Sequence, residues 1–195
     1  DFGLSVENAI LEGNTAETII EFSRNNNVDL IALSTHGLSG LSGWNVSSVV
    51  QKILLRAYKS ILPIRAYNPA TAISSEVRYK RLFVGLDGSS RAEYILPVAM
   101  NLARFYNSEL TVGTVIQRPQ IIERLPLSAG DEEIIEQLVE RNRQAALHYF
   151  EQLHHQVSQE GVELKTSIAV GDNLGVELHN MADEANADLV ILAAH

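Results

Sequence analysis

The sequence predicts an α/β fold with a parallel β-sheet, on three observations. Segments with strand patterns alternate with segments of helical periodicity, and few turn signals separate successive strands. Short apolar runs at 29–34, 81–87 and 188–194 are suited to strands covered on both faces. Residues 6–36 also align with residues 164–195, so the chain repeats a structural unit. This alternation favours parallel strands joined by right-handed crossovers.

The first unit is predicted to contain three strands and two helices. Thr15 is the predicted N-cap of the first helix. The apolar face of that helix comprises Ile19, Ile20 and Phe22. Pro63 cannot donate a ladder hydrogen bond, which places the last strand at a sheet edge. In chain order, the predicted elements are a strand at 4–11, a helix ending near 26, a strand at 30–34, a Gly/Ser-rich loop at 35–43, a helix from 47–48 to 58 and a strand at 60–66.

A linker and a second unit follow. Residues 67–79 carry Pro, Ser and Ala without apolar periodicity, which is typical of a linker. Ser90 and Glu93 have the spacing of a capping box. The predicted elements are strands at 81–87, 109–116, 162–170 and 188–194, and helices at 90–106, 131–160 and 174–185. The long helix has a predicted apolar face made of Ile135, Leu138, Val139, Ala146, Phe150, Leu153 and Val157.

Composition excludes several classes of protein. With 24 acidic and 15 basic residues, the net charge of −9 lacks the basic footprint of a nucleic-acid-binding protein. The absence of cysteine excludes disulfides, thiolate metal sites and a cysteine nucleophile, and it fits a reducing cytoplasm. No apolar run approaches the ~18 residues that span a membrane. We therefore expect a soluble, cytoplasmic protein without nucleic-acid or membrane partners.

The stretch from 29 to 50 is a strand, a Gly/Ser-rich loop and the start of a helix. Small residues between a strand end and a helix start leave several backbone N–H groups pointing in one direction. Together with the positive end of the helix dipole, these donors suit a phosphate.

The internal repeat indicates tandem domains. Gly13 aligns with Gly171, Asp29 with Asp188 and His36 with His195, with one inserted residue. The spacing of about 158 residues is too long for a solenoid repeat and suits two successive domains.

These segments resemble the universal stress protein family. The resemblance rests on a strand followed by a Thr-His-Gly motif, a nine-residue loop and a pair of small residues before a helix, and it extends over almost the whole chain. The residues that carry it are Ser34–Gly37, Ser47–Val49, Lys52–Leu54 and Leu82–Ser89. The resemblance implies a Rossmann-like, adenine-nucleotide alpha-hydrolase-like fold with a parallel five-stranded sheet of order 3-2-1-4-5.

The resemblance also implies two tandem units, each incomplete. Residues 1–66 correspond to the C-terminal part of a first universal stress domain, 67–79 to the linker, and 80–195 to a second domain without its last loop, helix and strand. We therefore expect the sequence to be part of a longer tandem protein, or else a fold in which the units exchange strands.

In this family, main-chain N–H groups of a Gly-x2-Gly-x9-Gly-[Ser/Thr] loop hold the nucleotide phosphates. The resemblance carries this role to Ser34, His36, Gly37, Ser47, Ser48 and Val49. Ser34 and Ser47 stand where glycines are expected. Each adds a Cβ that resists a positive φ, which weakens binding by roughly 10- to 1000-fold if such a conformation is required. A purely structural loop is the other interpretation.

The second unit resembles the complementary half of a second, separate nucleotide site, because each domain of the family has its own. Asp87 corresponds to the acid that hydrogen-bonds the adenine or ribose end of the nucleotide, with Gly85 beside it and Val115 lining the pocket. An Asp87 that only caps the turn into the following helix is the alternative. Ala193 replaces the first glycine of the second loop.

The predicted function is a cytoplasmic stress-response protein that binds ATP or AMP, with Mg²⁺ in the case of ATP, as a regulatory ligand. No catalytic residue or protein metal site is predicted, and we lean against an enzyme. Two alternatives stay open: a nucleotide-independent interaction or scaffold module of the same family, and a slow nucleotide hydrolase. The edge strand at 60–66 is the predicted surface of a homodimer or of an intramolecular pseudo-dimer.

Overall fold

The computed structural model of the protein describes residue 3 and residues 5–35, 48–64, 78–119 and 129–193. The chain divides into two compact units, Asp1–Ser75 and Glu76–His195. Elements of the first unit are α1 (Thr15–Asn25), β1 (Leu30–Ser34), α2 (Ser48–Arg56) and β2 (Ser60–Ile64). Elements of the second unit are β3 (Arg81–Gly85), α3 (Ser90–Glu93), α4 (Leu96–Tyr106), β4 (Glu109–Gln117), α5 (Ala129–Gln159), β5 (Leu164–Gly171), α6 (Leu174–Glu184) and β6 (Leu189–Leu192).

The described part of the first unit has one pair of parallel strands and two helices. Strands β1 and β2 are in register from Leu30 opposite Ser60 to Ser34 opposite Ile64. Pro63 lies opposite Leu33. Its core consists of Ala16 from α1, Ile31 from β1 and Ile53 from α2, which joins the two helices to the strands.

The second unit is a three-layer α/β structure around a parallel sheet of order β5-β4-β3-β6. Alternate residues of β3 face opposite sides. Leu82 and Val84 pack with α4 and α5, whereas Phe83 packs with Met181 and Ala182 of α6. Strand β3 is thus covered on both faces and paired on both edges, as its continuous apolar run predicts.

The α/β class, the parallel pairing and most element bounds confirm the sequence prediction. The order in the second unit is the 3-2-1-4 part of the expected 3-2-1-4-5. The five-strand count is wrong for the described residues, which form one two-stranded and one four-stranded sheet.

The predicted strand at 4–11 is also wrong. Described residues 5–11 have no strand structure, and the side chains of Val6 and Ile10 are 77% and 98% exposed. A strand needs a hydrogen-bonded neighbour. In the described part of the first unit, the only sheet is the pair of β1 and β2, and it does not include this segment.

The predicted caps are each displaced by one residue. Asn14, not Thr15, is the N-cap of α1, and its side chain accepts a hydrogen bond from the N–H of Glu17. Ser89, not Ser90, caps α3 and accepts from the N–H of Ala92. Asn and Ser are both strong N-caps, so neighbouring capping residues made the boundary ambiguous.

The apolar face predicted for the long helix is buried only at its C-terminal end. Phe150, Leu153 and Val157 are in the core. Leu138, earlier in α5, is 40% exposed. Helical periodicity indicates which side of a helix is apolar, but it does not say how far along the helix a neighbouring layer extends.

Asp188 joins the amino ends of β3 and β6. Its two carboxylate oxygens accept hydrogen bonds from the backbone N–H groups of Lys80 (2.9 Å) and Arg81 (3.0 Å). The N–H of Asp188 in turn donates to the carbonyl of Arg81 at 3.0 Å. These bonds continue the β3–β6 ladder beyond its first residue pair, Leu82 opposite Leu189. They also satisfy backbone donors where the central strand β3 begins.

Replacing Asp188 by Ala is therefore expected to lower the free energy of unfolding by about 1–3 kcal/mol, since two backbone donors lose a charged acceptor. Asp183→Ala is the matched control, because the Asp183 side chain is 72% exposed and makes one pair with His179. We expect the control to cost less than ~1 kcal/mol. Urea denaturation followed by circular dichroism measures both. Equal losses in the two variants would contradict the role of Asp188.

Close packing is expected to require glycine at position 113. A Cβ at this position would lie 2.6 Å from Cζ of Phe83 and 2.8 Å from Cε of Met181, so Gly113→Ala overpacks the contact between α6 and the sheet. We predict a loss of about 1–3 kcal/mol in urea denaturation. In the control Gly175→Ala the nearest atom is Oδ1 of Asn173 at 3.6 Å, and a gain of about 0.5 kcal/mol is expected in this helix. A Gly113→Ala protein as stable as the parent would contradict this account.

Candidate functional site

The second unit has a topological switch point at the carboxyl ends of β3 and β6. The chain leaves β3 through α3 and α4, which cover one face of the sheet, and enters β6 from α6, which covers the other. Helices that cover opposite faces on either side of a strand pair mark a switch point, and doubly wound sheets have a crevice outside the carboxyl ends of such strands. Open α/β sheets bind their ligands in such a crevice.

Asp87 lies at this crevice, two residues beyond the end of β3. The N–H of Leu86 still donates to the carbonyl of Gly113 at 2.9 Å, and the chain then turns away from the sheet. The side chain of Asp87 is exposed, and its Oδ1 accepts a hydrogen bond from the N–H of Ser89 at 2.9 Å. Gly88 supplies the positive φ of 77° in this turn. The turn therefore holds one carboxylate oxygen in a defined place at the strand end.

Gly85 and Val115 have packing roles beside the crevice. A Cβ on Gly85 would lie 2.7 Å from Cδ2 of Leu192 and 3.1 Å from Cδ2 of Leu178. Val115 is half-buried and packs against the cluster of Phe83, Met181 and Ala182. The structure thus brings Gly85 and Asp87 together at the end of β3, and the side chains of β6 and α6 fill the space over Gly85.

Ala193 directly follows β6 on the opposite side of the crevice and is half-buried. The internal repeat aligns this residue with Ser34, the position of the first glycine in the family's phosphate-binding motif. Leu192, the residue before it, is 52% exposed. The β6 side of the crevice is therefore more apolar than the β3 side, which carries the Asp87 carboxylate.

In the first unit, the structure places the two ends of the predicted phosphate loop. Ser34 is the last residue of β1, and the N–H of Thr35 donates to the carbonyl of Ile64 at 3.0 Å. Ser48 begins α2, and Val49 packs against the core of this unit. The other predicted loop residues, His36, Gly37 and Ser47, lie outside the described residues.

Sequence analysis missed a buried hydroxyl next to the Asp87 turn. The hydroxyl of Tyr149, on α5, is inaccessible to solvent and makes no hydrogen bond of acceptable geometry within the described ranges. Burial, and then the neighbouring carboxylates of Glu93 and Asp87, raise the pKa of Tyr149 well above the ordinary tyrosine value. Helical periodicity carries no signal for such a contact, because the carboxylates come from a loop and a short helix distant in sequence.

Two further classes of site are absent from what the structure describes. The residues of the described ranges contain no group of three or more His, Asp or Glu side chains arranged to hold a metal ion. Among the described helices, none is both long and apolar enough to cross a membrane.

Fold and crevice together define a doubly wound α/β protein with an acidic residue at its switch point. The chain belongs to the universal stress protein family, whose model matches residues 2–65 and 78–195. A comparison with curated proteins found no match.

Solved structures show the same fold at low sequence identity. A universal stress protein of Archaeoglobus fulgidus is 19% identical with a TM-score of 0.59, over 90% of this chain and 53% of that protein. A universal stress protein of Lactobacillus plantarum is 20% identical with a TM-score of 0.51, over 59% of this chain and 77% of that protein. A family member from Burkholderia pseudomallei is 21% identical with a TM-score of 0.50, over 60% and 83% of the two chains. The chain thus spans about half the length of the Archaeoglobus protein, and these similarities concern the fold alone.

The Tyr149 hydroxyl gives a stability prediction with a pH dependence. Tyr149→Phe removes a buried polar group that has no described partner, so we expect the free energy of unfolding to rise by about 1 kcal/mol at pH 7. The folded state holds the phenol proton to a higher pH than the unfolded state, whose tyrosines ionise near pH 10. Above about pH 10, ionisation of this tyrosine in the unfolded state therefore destabilises the folded parent, whereas Tyr149→Phe has no phenol to ionise. The difference in free energy of unfolding between variant and parent is expected to widen with pH.

Urea denaturation at pH 7 and at about pH 10.5 measures this effect. Tyr94→Phe is the control, because Tyr94 is 82% exposed and its removal is expected to leave stability unchanged at both pH values. A Tyr149→Phe protein less stable than the parent at pH 7 would show that the hydroxyl makes a favourable hydrogen bond.

Proposed function

We propose that this universal stress protein binds an adenine nucleotide, ATP or AMP, as a regulatory ligand in the cytoplasm. The observation that carries the proposal is the exposed carboxylate of Asp87 at the switch-point crevice. Nucleotide occupancy would then act as the signal in a stress response. The absence of cysteine from the sequence fits a reducing compartment.

Asp87 has the chemistry needed at the nucleoside end of such a ligand. A carboxylate accepts hydrogen bonds from ribose hydroxyls or from the adenine amino group. The N–H of Ser89 holds Oδ1 of this carboxylate, so its orientation is set before a ligand arrives. Mg²⁺ would enter on the phosphates of ATP, which is how this ion commonly binds at nucleotide sites.

In the first unit, the loop between β1 and α2 is assigned the phosphate-binding role of a separate nucleotide site. Ser34 stands at the end of the strand and Ser48 at the start of the helix, as a strand–loop–helix phosphate site requires. Because the proposed donors are backbone N–H groups, the serines at positions 34 and 47 retain them. His36, Gly37 and Val49 complete this part of the proposal.

A nucleotide-independent interaction module is the second candidate. Leu192 and Leu178 fill the space over Gly85, which favours this candidate because the strand end is packed by apolar side chains. Serines and alanine in place of the motif glycines favour it too. The slow hydrolase hypothesis differs from nucleotide binding alone and from the interaction module. Only a hydrolase would release phosphate from ATP above a protein-free control.

Association through the edge strand is a separate part of the proposal. Within the described residues, β2 pairs with β1 along one edge and with no strand along the other. Ile61 and Leu62 of β2 are half-buried, whereas Ile64 is 50% exposed. A homodimer through β2 would cover this apolar surface. Pro63 limits the number of hydrogen bonds the edge can make.

Calorimetric titration with ATP, and separately with AMP, tests the nucleotide proposal. We expect Asp87→Asn to weaken binding about tenfold or more, because the ligand loses a charged hydrogen-bond acceptor. Asparagine retains the side-chain oxygen that accepts from Ser89, so the turn is expected to keep its structure. The control is Asp172→Asn, which makes the same charge change at the end of the outer strand β5.

If neither ATP nor AMP gives a heat of binding at millimolar concentration, nucleotide binding is contradicted and the interaction module is favoured. Equal affinities of the Asp87→Asn and Asp172→Asn proteins would leave nucleotide binding in place but contradict the assignment of Asp87.

A further inference from the structure

The second unit has a cavity of about 440 Å³, open to solvent, at the amino ends of its strands, at the opposite end of the sheet from the Asp87 crevice. We call it the amino-end cavity. It lies between the sheet and the C-terminal end of α6. Its lining residues are Arg81, Glu109, Thr111, Lys165, Thr166, Ser167, Met181, Glu184, Ala185 and Asn186.

Two of the four charged residues in this cavity satisfy each other. The ammonium of Lys165 lies 2.6 Å from Oε2 of Glu109, on the neighbouring strand. This hydrogen bond raises the pKa of Lys165, so the ion pair persists across the physiological pH range. The Lys165–Glu109 pair therefore contributes no net charge to the lining of the cavity.

The other two charges, on Arg81 and Glu184, make no ion pair with each other or with any other described residue. Nε of Arg81 donates to the carbonyl of Asn186 at 2.5 Å, which fixes the guanidinium at the end of α6. Its terminal nitrogens have no hydrogen-bond partner within the described ranges. One fixed cation and one carboxylate thus line the same cavity.

Glu184 occupies an electrostatically unfavourable position. It lies in the last turn of α6, which carries no basic residue. The C-terminal end of a helix dipole is negative, so a carboxylate there favours the approach of cations. The guanidinium of Arg81 lies at the same helix end without an ion pair to Glu184, and a ligand with a positively charged group would add a cation in direct contact with that carboxylate.

The rest of the lining suits a small ligand with a short apolar part. Thr111 and Met181 are buried, at 7% and 4% exposure, and form the floor. Thr166 and Ser167 add hydroxyl groups at the β5 side. Small-molecule sites commonly combine an apolar floor with a few polar groups that fix the orientation of the ligand.

We propose that the amino-end cavity binds a small zwitterion of the amino-acid class, with its carboxylate at Arg81 and its ammonium at Glu184. Arginine is well suited to a carboxylate, because its planar guanidinium offers several donors in one plane. This site is separate from the Asp87 crevice and does not depend on nucleotide binding.

Titration of the ¹⁵N-labelled protein with L-alanine, followed by amide chemical shifts, tests the proposal. We expect the signals of Thr111, Ser167 and Asn186 to move together, with a dissociation constant of about 1–10 mM. L-Alaninamide retains only the positive charge, and N-acetyl-L-alanine only the negative charge. Each is expected to bind at least about fivefold more weakly than L-alanine.

Glu184→Gln is expected to weaken L-alanine binding about fivefold and to remove the preference for L-alanine over N-acetyl-L-alanine. Glu136→Gln makes the same charge change on α5, outside the cavity, and is expected to bind like the parent. Three results would each overturn the proposal: no shifts at these three amides, equal binding of the three compounds, or an unchanged affinity in Glu184→Gln. The spectrum of each variant without ligand shows that it is folded.

Discussion

Strand β3 is hydrogen-bonded to a parallel strand on each edge and covered by helices on both faces, and the second unit is organised around it. Because nothing polar can be buried along its length without a partner, its residues are apolar and its polar contacts occur at its two ends. Asp188 satisfies the backbone donors at the amino end. Asp87 follows the carboxyl end, where the chain leaves for the face covered by α4, whereas the helix that leads into β6, α6, covers the other face. The crevice is thus a consequence of the topology.

Much of the fold was predictable because the second unit contains the neighbours its strands need. The apolar run of β3, the helical periodicity of α4 and the strand at β4 all describe local patterns that the sheet confirms. The same kind of pattern was misleading at 4–11, where no strand in the described part of the first unit pairs with the segment. It was also misleading along the first half of α5, where an apolar face extends beyond the layer that buries it. The hydrophobic pattern of a segment indicates which secondary structure it favours. Whether that structure forms and is buried depends on the strands and helices that pack against it.

Less of the candidate site was predictable. Motif spacing located Asp87 and the ends of the β1–α2 loop. It did not indicate that Gly85 is needed for close packing of Leu192, because that contact joins residues more than a hundred positions apart. The Tyr149 hydroxyl beside the Asp87 turn was missed for the same reason. The amino-end cavity has no motif at all, since its charges come from three strands and the end of a helix. Such features follow from tertiary packing and are visible only when the elements are assembled.

Backbone hydrogen exchange with and without saturating ATP tests most directly whether the crevice at the end of β3 is the nucleotide site. We predict that ATP slows exchange of the amides at residues 86–92, which follow β3 and include the Asp87 turn, while the amides at the amino ends of β3 and β6 exchange at an unchanged rate. Slower exchange only elsewhere in the chain, or no change at saturating nucleotide, would contradict it.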